Sequence, residues 1–291
     1  MAPTYTLLTL AVLTLWLGAD DRASVLYRNV WLLPWVASLA TALAFGIVQP
    51  VGLVWIVALA AATFWFSRPP AQRWQLVAAG VAPLVLAAGL TLHRLPGFNN
   101  PRVISSVRFS ADAIPFTLYL NYDKTLAGLF ILGWCHSRIA RATEWRAMFA
   151  ITAPRAGSVM VLIMMLSVAV GYVRFEPKFP ADTWLWLWVN LCFTCLAEEA
   201  LFRGFIQAQL QRVWQRWSGG GWLALAVAAA LFGLAHAAGG VAYVALATVA
   251  GLGYGWIYQR TQRIEASILT HFTLNTVHFF AFTYPALQPP G

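Results

Sequence analysis

The sequence predicts an all-α fold, a polytopic membrane bundle of about eight to ten transmembrane helices. Three observations carry this expectation. The chain has 291 residues, of which 60% are hydrophobic and only 10% charged, with a mean hydropathy of +0.67, far from the mixture of a soluble domain. Apolar runs approaching the roughly 20 residues of a bilayer crossing recur along nearly the whole chain, leaving no stretch for a separate soluble domain. The arginines gather mostly in short connections between those runs, as the positive-inside rule expects.

In chain order the runs fall at 5–19, 30–48, 51–66, 75–92, 125–135, 158–173, 184–210, 222–237, 241–258 and 264–284. The first and fifth are short enough to lie at the interface or re-enter instead of spanning. The first has no basic leader and is followed by Asp20 and Asp21, so it reads as retained, not as a cleaved signal peptide. If every run crosses, the loops with Arg22 and Arg28, Arg68 and Arg73, Arg138 to Arg155, Arg212 and Arg216, and Arg260 and Arg263 share one side. That side is cytoplasmic, with both termini outside. The connection 93–124 runs against this bias, with Arg94, Arg102 and Arg108 beside Asp112 and Asp123. Its "LPGFNNPRV" reads as a loop that lies on the membrane surface or folds back over a site.

A net charge of +9 would suggest nucleic acid in a soluble protein. Here it comes from the loops, so the lipid bilayer is the expected partner and nucleic acid is not. Cys192 and Cys195 stand one turn apart on an apolar helix, without a second cysteine pair to complete a zinc site, and read as small buried hydrophobes, as does Cys135. The aromatic residues of "WLWLWVN" read as an interfacial belt.

Before about residue 180 the polar residues keep to the ends of the runs, and afterwards ionisable groups enter them. Each costs about 2.5 to 3.5 kcal/mol on insertion scales and marks a site by default. The chain therefore divides into N-terminal membrane helices, 1–180, and a functional core, 181–291. In "CLAEEALFRGF" Glu199 and Arg203 share a helix face in the glutamate-first order that favours pairing. Glu198 turns to another face and needs a partner from elsewhere. His236 lies in "LFGLAH" near the Gly239-Gly240 break. His271 and Asn275, four apart in "THFTLN", project from one face, and His278 extends the stripe. A carboxylate, two histidines and an asparagine on three helices can meet in a bundle interior.

Such a set supplies a general base to activate water, an imidazole to hold it and donors for an oxyanion, the parts for amide hydrolysis without a covalent adduct. Depth supports the meeting only in part. Glu198 and His271 come out roughly 10 to 14 Å from the cytoplasmic edge, but His236 about 21 Å, which requires a later entry, a tilt or a displaced helix.

E-E-x-x-x-R (Glu198, Glu199, Arg203), F-x-x-x-H (Phe232, His236) and H-x-x-x-N (His271, Asn275), in this order on successive membrane helices, resemble the motifs of the CPBP family. That family, also called ABI, includes the type II CAAX prenyl endopeptidases and bacterial relatives linked to bacteriocin processing or self-immunity. "TQRIEASILTHFTLN", with Ala266 and Ser267 ahead of His271, extends the likeness, which covers about 183–284.

The resemblance implies an intramembrane endopeptidase without a cofactor, acting on a membrane-associated protein or peptide. Glu198 would be the general base, His236 would position the water, and His271 with Asn275 would form the oxyanion site, supported by Glu199 and Arg203. It implies a multi-pass location, in a bacterial cell the inner membrane. A zinc-dependent version would use Glu198, His236 and His271 as ligands, though the sequence lacks H-E-x-x-H and asparagine is a poor zinc ligand. An ion- or proton-coupled transporter and a non-catalytic immunity or scaffold protein are the alternatives outside the enzyme class.

Overall fold

The computed structural model describes residues 1–20, 22–68 and 73–288. Asp21 and the side chain of Arg73, both cited above, lie outside the described residues. Each apolar run forms a helix: α1 (Ala2–Leu17), α2 (Leu32–Ala44), α3 (Pro50–Phe66), α4 (Arg73–Thr91), α5 (Tyr122–Phe130, continued by a π-helical turn Ile131–Cys135), α6 (Ala142–Ala169), α7 (Thr183–Val213), α8 (Gly220–Ala235), α9 (Gly240–Thr261) and α10 (Ile264–Ala281). Among the described residues, Ala142–Ala169, Thr183–Val213 and Ala237–Thr261 are long and apolar enough to cross a membrane, and α1, α2, α3, α8 and most of α4 are shorter apolar helices. The chain is thus mostly helical and multi-pass, without these lengths fixing a number of crossings.

Three elements depart from the sequence reading. The fold is not purely α. Within 93–124, strands β1 (Arg102–Val107) and β2 (Phe116–Tyr119) pair antiparallel, with Ile104 opposite Leu118 and Val107 opposite Phe116. Pro101 and Pro115 precede the strands, β1 carries Val103, Ile104 and Val107, and β2 carries Phe116, Thr117 and Tyr119, residue types a strand favours. Helix α6 begins at Ala142, well before the apolar run at 158, so much of the arginine-rich connection is helical. Glu144 closes its first turn by accepting from the backbone N–H of Arg141 at 3.1 Å, a capping contact, and Pro154 sits inside it. Helix α5 is neither interfacial nor marginal. Leu126, Ala127, Leu129, Phe130, Ile131 and Leu132 are fully buried, as the all-apolar stretch that follows its polar first turn should be.

Helices α5 and α7 form the centre. Of the apolar window of α7, 72% is buried, against 22% for α6 and 28% for Ala237–Thr261. One hydrophobic cluster runs from Tyr5 to Leu274, so residues on both sides of 180 share an interior. At one end of the bundle Arg138 donates from Nε to Leu15 O (2.9 Å), His136 meets the Tyr258 hydroxyl (3.0 Å), and Glu265 accepts from Trp16 and from Ile139 N. The hairpin, the start of α5 and the chain after α10 lie at the other end, where the chain after α10 contacts the 172–178 segment.

Candidate active site

Helix α7 is not a uniform α-helix. Leu196–Glu199 is a single α-helical segment between π-helical stretches Asn190–Cys195 and Ala200–Gln207, a form of helix that occurs mostly as local bulges, often at functional sites. The predicted pair survives this winding. Arg203 Nη1 lies 2.9 Å from Glu199 Oε1, both side chains wholly buried. Arg203 also donates from Nη2 to Gly251 O at 3.0 Å, with its guanidinium carbon 4.5 Å from the Phe232 ring centre and 5.2 Å from that of Tyr254. A Cβ on Gly251 would come within 3.1 Å of Nη2 and 3.2 Å of the Ala229 Cα, so a side chain there would push these neighbours back by a few tenths of an ångström.

His271 stands between the two glutamates. Its Nδ1 is 2.8 Å from Glu199 Oε1, its Nε2 3.9 Å from Glu198 Oε2, and its ring stacks on Tyr254 with centres 4.7 Å apart. The partner Glu198 lacks within its own helix comes from α5, where Lys124 Nζ lies 2.6 Å from Glu198 Oε1. Gly128 explains how. It is one turn beyond Lys124 on the same face, and a Cβ there would come within 2.7 Å of the Ala197 Cα. Backbone thus meets backbone, and Lys124 is aimed at Glu198. Beside it, buried Asp123 accepts from Asn100 at 2.8 Å and meets His93 Nδ1 at 2.7 Å.

His236 caps the C-terminus of α8. Its Nδ1 meets Phe232 O at 2.7 Å, and its ring packs on Phe232 and Tyr243. A 3₁₀ turn Ala237–Gly239 and Gly240, at φ +85°, reverse the chain there, a conformation open to glycine. Helix α7 continues past Gln207 to Val213, so Glu198 and His236 stand at similar distances from the connection 214–219, whereas His271 stays about 10 Å from the start of α10. Counting along straight helices therefore does not place all three at one depth, and their meeting comes from how the helices pack.

Asn275 donates to Asn190 Oδ1 at 3.3 Å and approaches Cys195 Sγ at 3.6 Å, and Cys195 meets Asn190 Oδ1 at 3.2 Å. Glu198, His236, His271 and Asn275 all line one cavity of about 650 Å³, shared with His278 and, from the 93–124 connection, Ile114. His278 Nε2 rests on Thr283 O at 3.2 Å. Glu199 and Arg203 stand behind His271, away from the cavity lining.

Lys124 and Asn190 are the polar groups the sequence reading missed. Lys124 carried one signal, a cation on the side where the charge bias expects few. Asn190, inside an apolar run, carried its polarity alone. For zinc, no group of three or more His, Cys, Asp or Glu side chains is so arranged that it could hold a metal ion among the described residues, and the Lys124 ammonium lies against Glu198 Oε1.

Fold and site together define a multi-pass helical membrane protein with an acid, two imidazoles and an amide around an interior cavity. Residues 180–277 match the family model "Type II CAAX prenyl endopeptidase Rce1-like", a match that supports the resemblance to the CPBP/CAAX protease-like family and spans every one of the predicted site residues. Comparison with curated proteins and with solved structures finds no match.

Proposed function

We propose that this protein is an intramembrane endopeptidase that hydrolyses a peptide bond of a membrane-associated protein or peptide with a glutamate-activated water. The observation that carries the reading is the meeting of Glu198, His236, His271 and Asn275, from three separate helical segments, on the wall of one cavity. The family match supports the reaction class.

Each contact suits a step. Lys124 occupies Glu198 Oε1 and leaves Oε2 to take a proton from water. His236, whose Nδ1–H is directed to Phe232 O, presents Nε2 as an acceptor that orients this water. The hydroxide formed adds to the scissile carbonyl carbon. The oxyanion accepts hydrogen bonds from the Asn275 amide and, in the protonated imidazole, from His271 Nε2–H. Glu199 holds His271 through Nδ1, and Arg203 holds Glu199. Collapse breaks the C–N bond as Glu198 returns its proton to the leaving amine. No metal is needed for any of these steps, and no observation favours transport or a scaffold.

The test is a comparison of protein termini and membrane peptides in cells carrying wild type, Glu198→Gln or His271→Ala. Fragments that vanish in both variants, at equal membrane abundance of the protein, are the expected result. An unchanged peptide pattern would remove the reading.

A further inference from the structure

The chain beyond α10 does not trail away from the site. It runs extended beside 172–178, with Lys178 N donating to Phe280 O, Glu176 N to Ala281 O and Thr283 N to Arg174 O. It then enters the mouth of the cavity, where Ala286, Leu287 and Gln288 join the lining. There the segment is held as a β-strand would be. Ile114 N donates to Ala286 O at 3.0 Å and Gln288 N to Asp112 O at 2.8 Å, and Ala113 and Leu287 form an antiparallel bridge. On its other edge Leu287 N donates to Tyr172 O at 2.9 Å. Arg108 clamps the pairing, donating to Ala113 O at 3.0 Å and to Gln288 Oε1 at 2.9 Å.

We propose that the backbone of Asp112–Ile114 with Tyr172 O is a strand-docking edge for the substrate peptide at the mouth of the catalytic cavity, and that residues 286–288 are its internal occupant. The inference rests on the protease reading for the identity of the displacing ligand. Two physical arguments carry it. A peptide bond is open to attack only along an extended backbone, and strand addition holds an extended chain through its own N–H and C=O groups, largely independent of side chains. Edge groups at the cavity mouth must also be satisfied when no substrate is there, and 286–288 satisfies them with bonds any extended peptide can reproduce. The internal segment is short and uncharged, so a peptide that replaces it in kind is extended and uncharged where it crosses the edge. Substrate entry then competes with the protein's own strand.

The probe is a fluorescent acetylated peptide amide with the sequence of 282–288, Phe-Thr-Tyr-Pro-Ala-Leu-Gln. Its binding to full-length protein in nanodiscs is measured in the Glu198→Gln background, so that no cleavage enters. Freeing an edge occupied nine-tenths of the time or more raises apparent affinity on the order of tenfold. Leu287→Pro, which loses the N–H to Tyr172 O, and Gln288→Pro, which loses the N–H to Asp112 O, should each show that gain. Gln288 is exposed at the outer end of the segment, so its variant keeps the test open if Leu287→Pro misfolds. The same peptide N-methylated at its Leu and Gln nitrogens should bind neither protein. Equal affinity in wild type and Gln288→Pro, or binding that ignores N-methylation, overturns the docking edge. An unchanged peptide pattern in the cellular test would remove the protease reading while leaving this binding result to stand or fall by itself.

Discussion

At 2.6 Å from Glu198 Oε1, the Lys124 ammonium leaves a single carboxylate oxygen facing His271 and the cavity. A buried carboxylate without a cation is strongly penalised, so replacing Lys124 acts on the proposed base without touching the substrate's path. Lys124→Met should lower kcat on the order of a hundredfold, the lower bound of what a positioned base contributes, with KM little changed. Lys124→Arg, which restores the charge, should recover much of it. A loss that falls wholly on KM, or equal loss in both variants at equal stability, would assign Lys124 to packing. Glu199, Arg203, His271 and Asn275 were legible because their relations are local: four residues on a helix put two side chains on one face, and that geometry needs no tertiary knowledge. The pairing of Lys124 with Glu198, and of Asn190 with Asn275, joins residues 74 and 85 positions apart, and periodicity carries no information about such distances.

The elements were legible as apolar runs, but not where their geometry departs from a simple helix. The π-helical stretches around Glu198 leave no mark on composition, and the start of α6 at Ala142 is fixed by glutamate contacts to two backbone amides, those of Ala140 and Arg141, not by hydropathy. The β1–β2 hairpin is similar, since a short antiparallel pair inside a polar connection is weak against ten apolar runs. Contact between α5 and α7 can be tested directly. Gly128 leaves no room for a Cβ against the Ala197 Cα, and overpacking of this kind typically costs about 1 to 3 kcal/mol. Gly128→Leu should therefore lower thermal stability by that amount. Because it also drives Lys124 away from Glu198, it should reduce activity further than its stability loss explains. Gly157, inside α6 with open space around its Cβ position, gives the matched control: Gly157→Leu should cost neither stability nor activity, since helix propensity alone favours Leu over Gly. Equal losses at the two positions would mean that the α5–α7 approach does not set the cost at Gly128.

Over the whole molecule the two halves are tied at the bundle end away from the cavity mouth, where α1, the α5–α6 connection, α9 and α10 converge through Arg138, His136 and Glu265. His136 lies in that connection, outside the spanning segments. Burial pushes its pKa down to about 4, with Arg138, Arg212 and Arg263 acting in the same direction against the hydrogen bond to Ser137 O. The folded ring is accordingly neutral near pH 7, donating from Nδ1 to Ser137 O at 2.6 Å and accepting at Nε2 from the Tyr258 hydroxyl at 3.0 Å. An unfolded histidine takes a proton near pH 6.5. Between about 6.5 and 4 the unfolded state therefore binds more protons than the folded one, and stability rises with pH across that window. This contribution is fully present above about pH 6.5 and is lost progressively as the pH falls, with a slope that approaches about 1.4 kcal/mol per pH unit. Other groups titrate in the same range, so the readout is a difference. Denaturation midpoints of wild type and His136→Gln should converge as the pH is lowered from about 7 toward 4, because the variant lacks this proton uptake. Parallel curves would mean that the folded imidazole is protonated as readily as the unfolded one, and that this junction is held by its other hydrogen bonds without a requirement for a neutral ring.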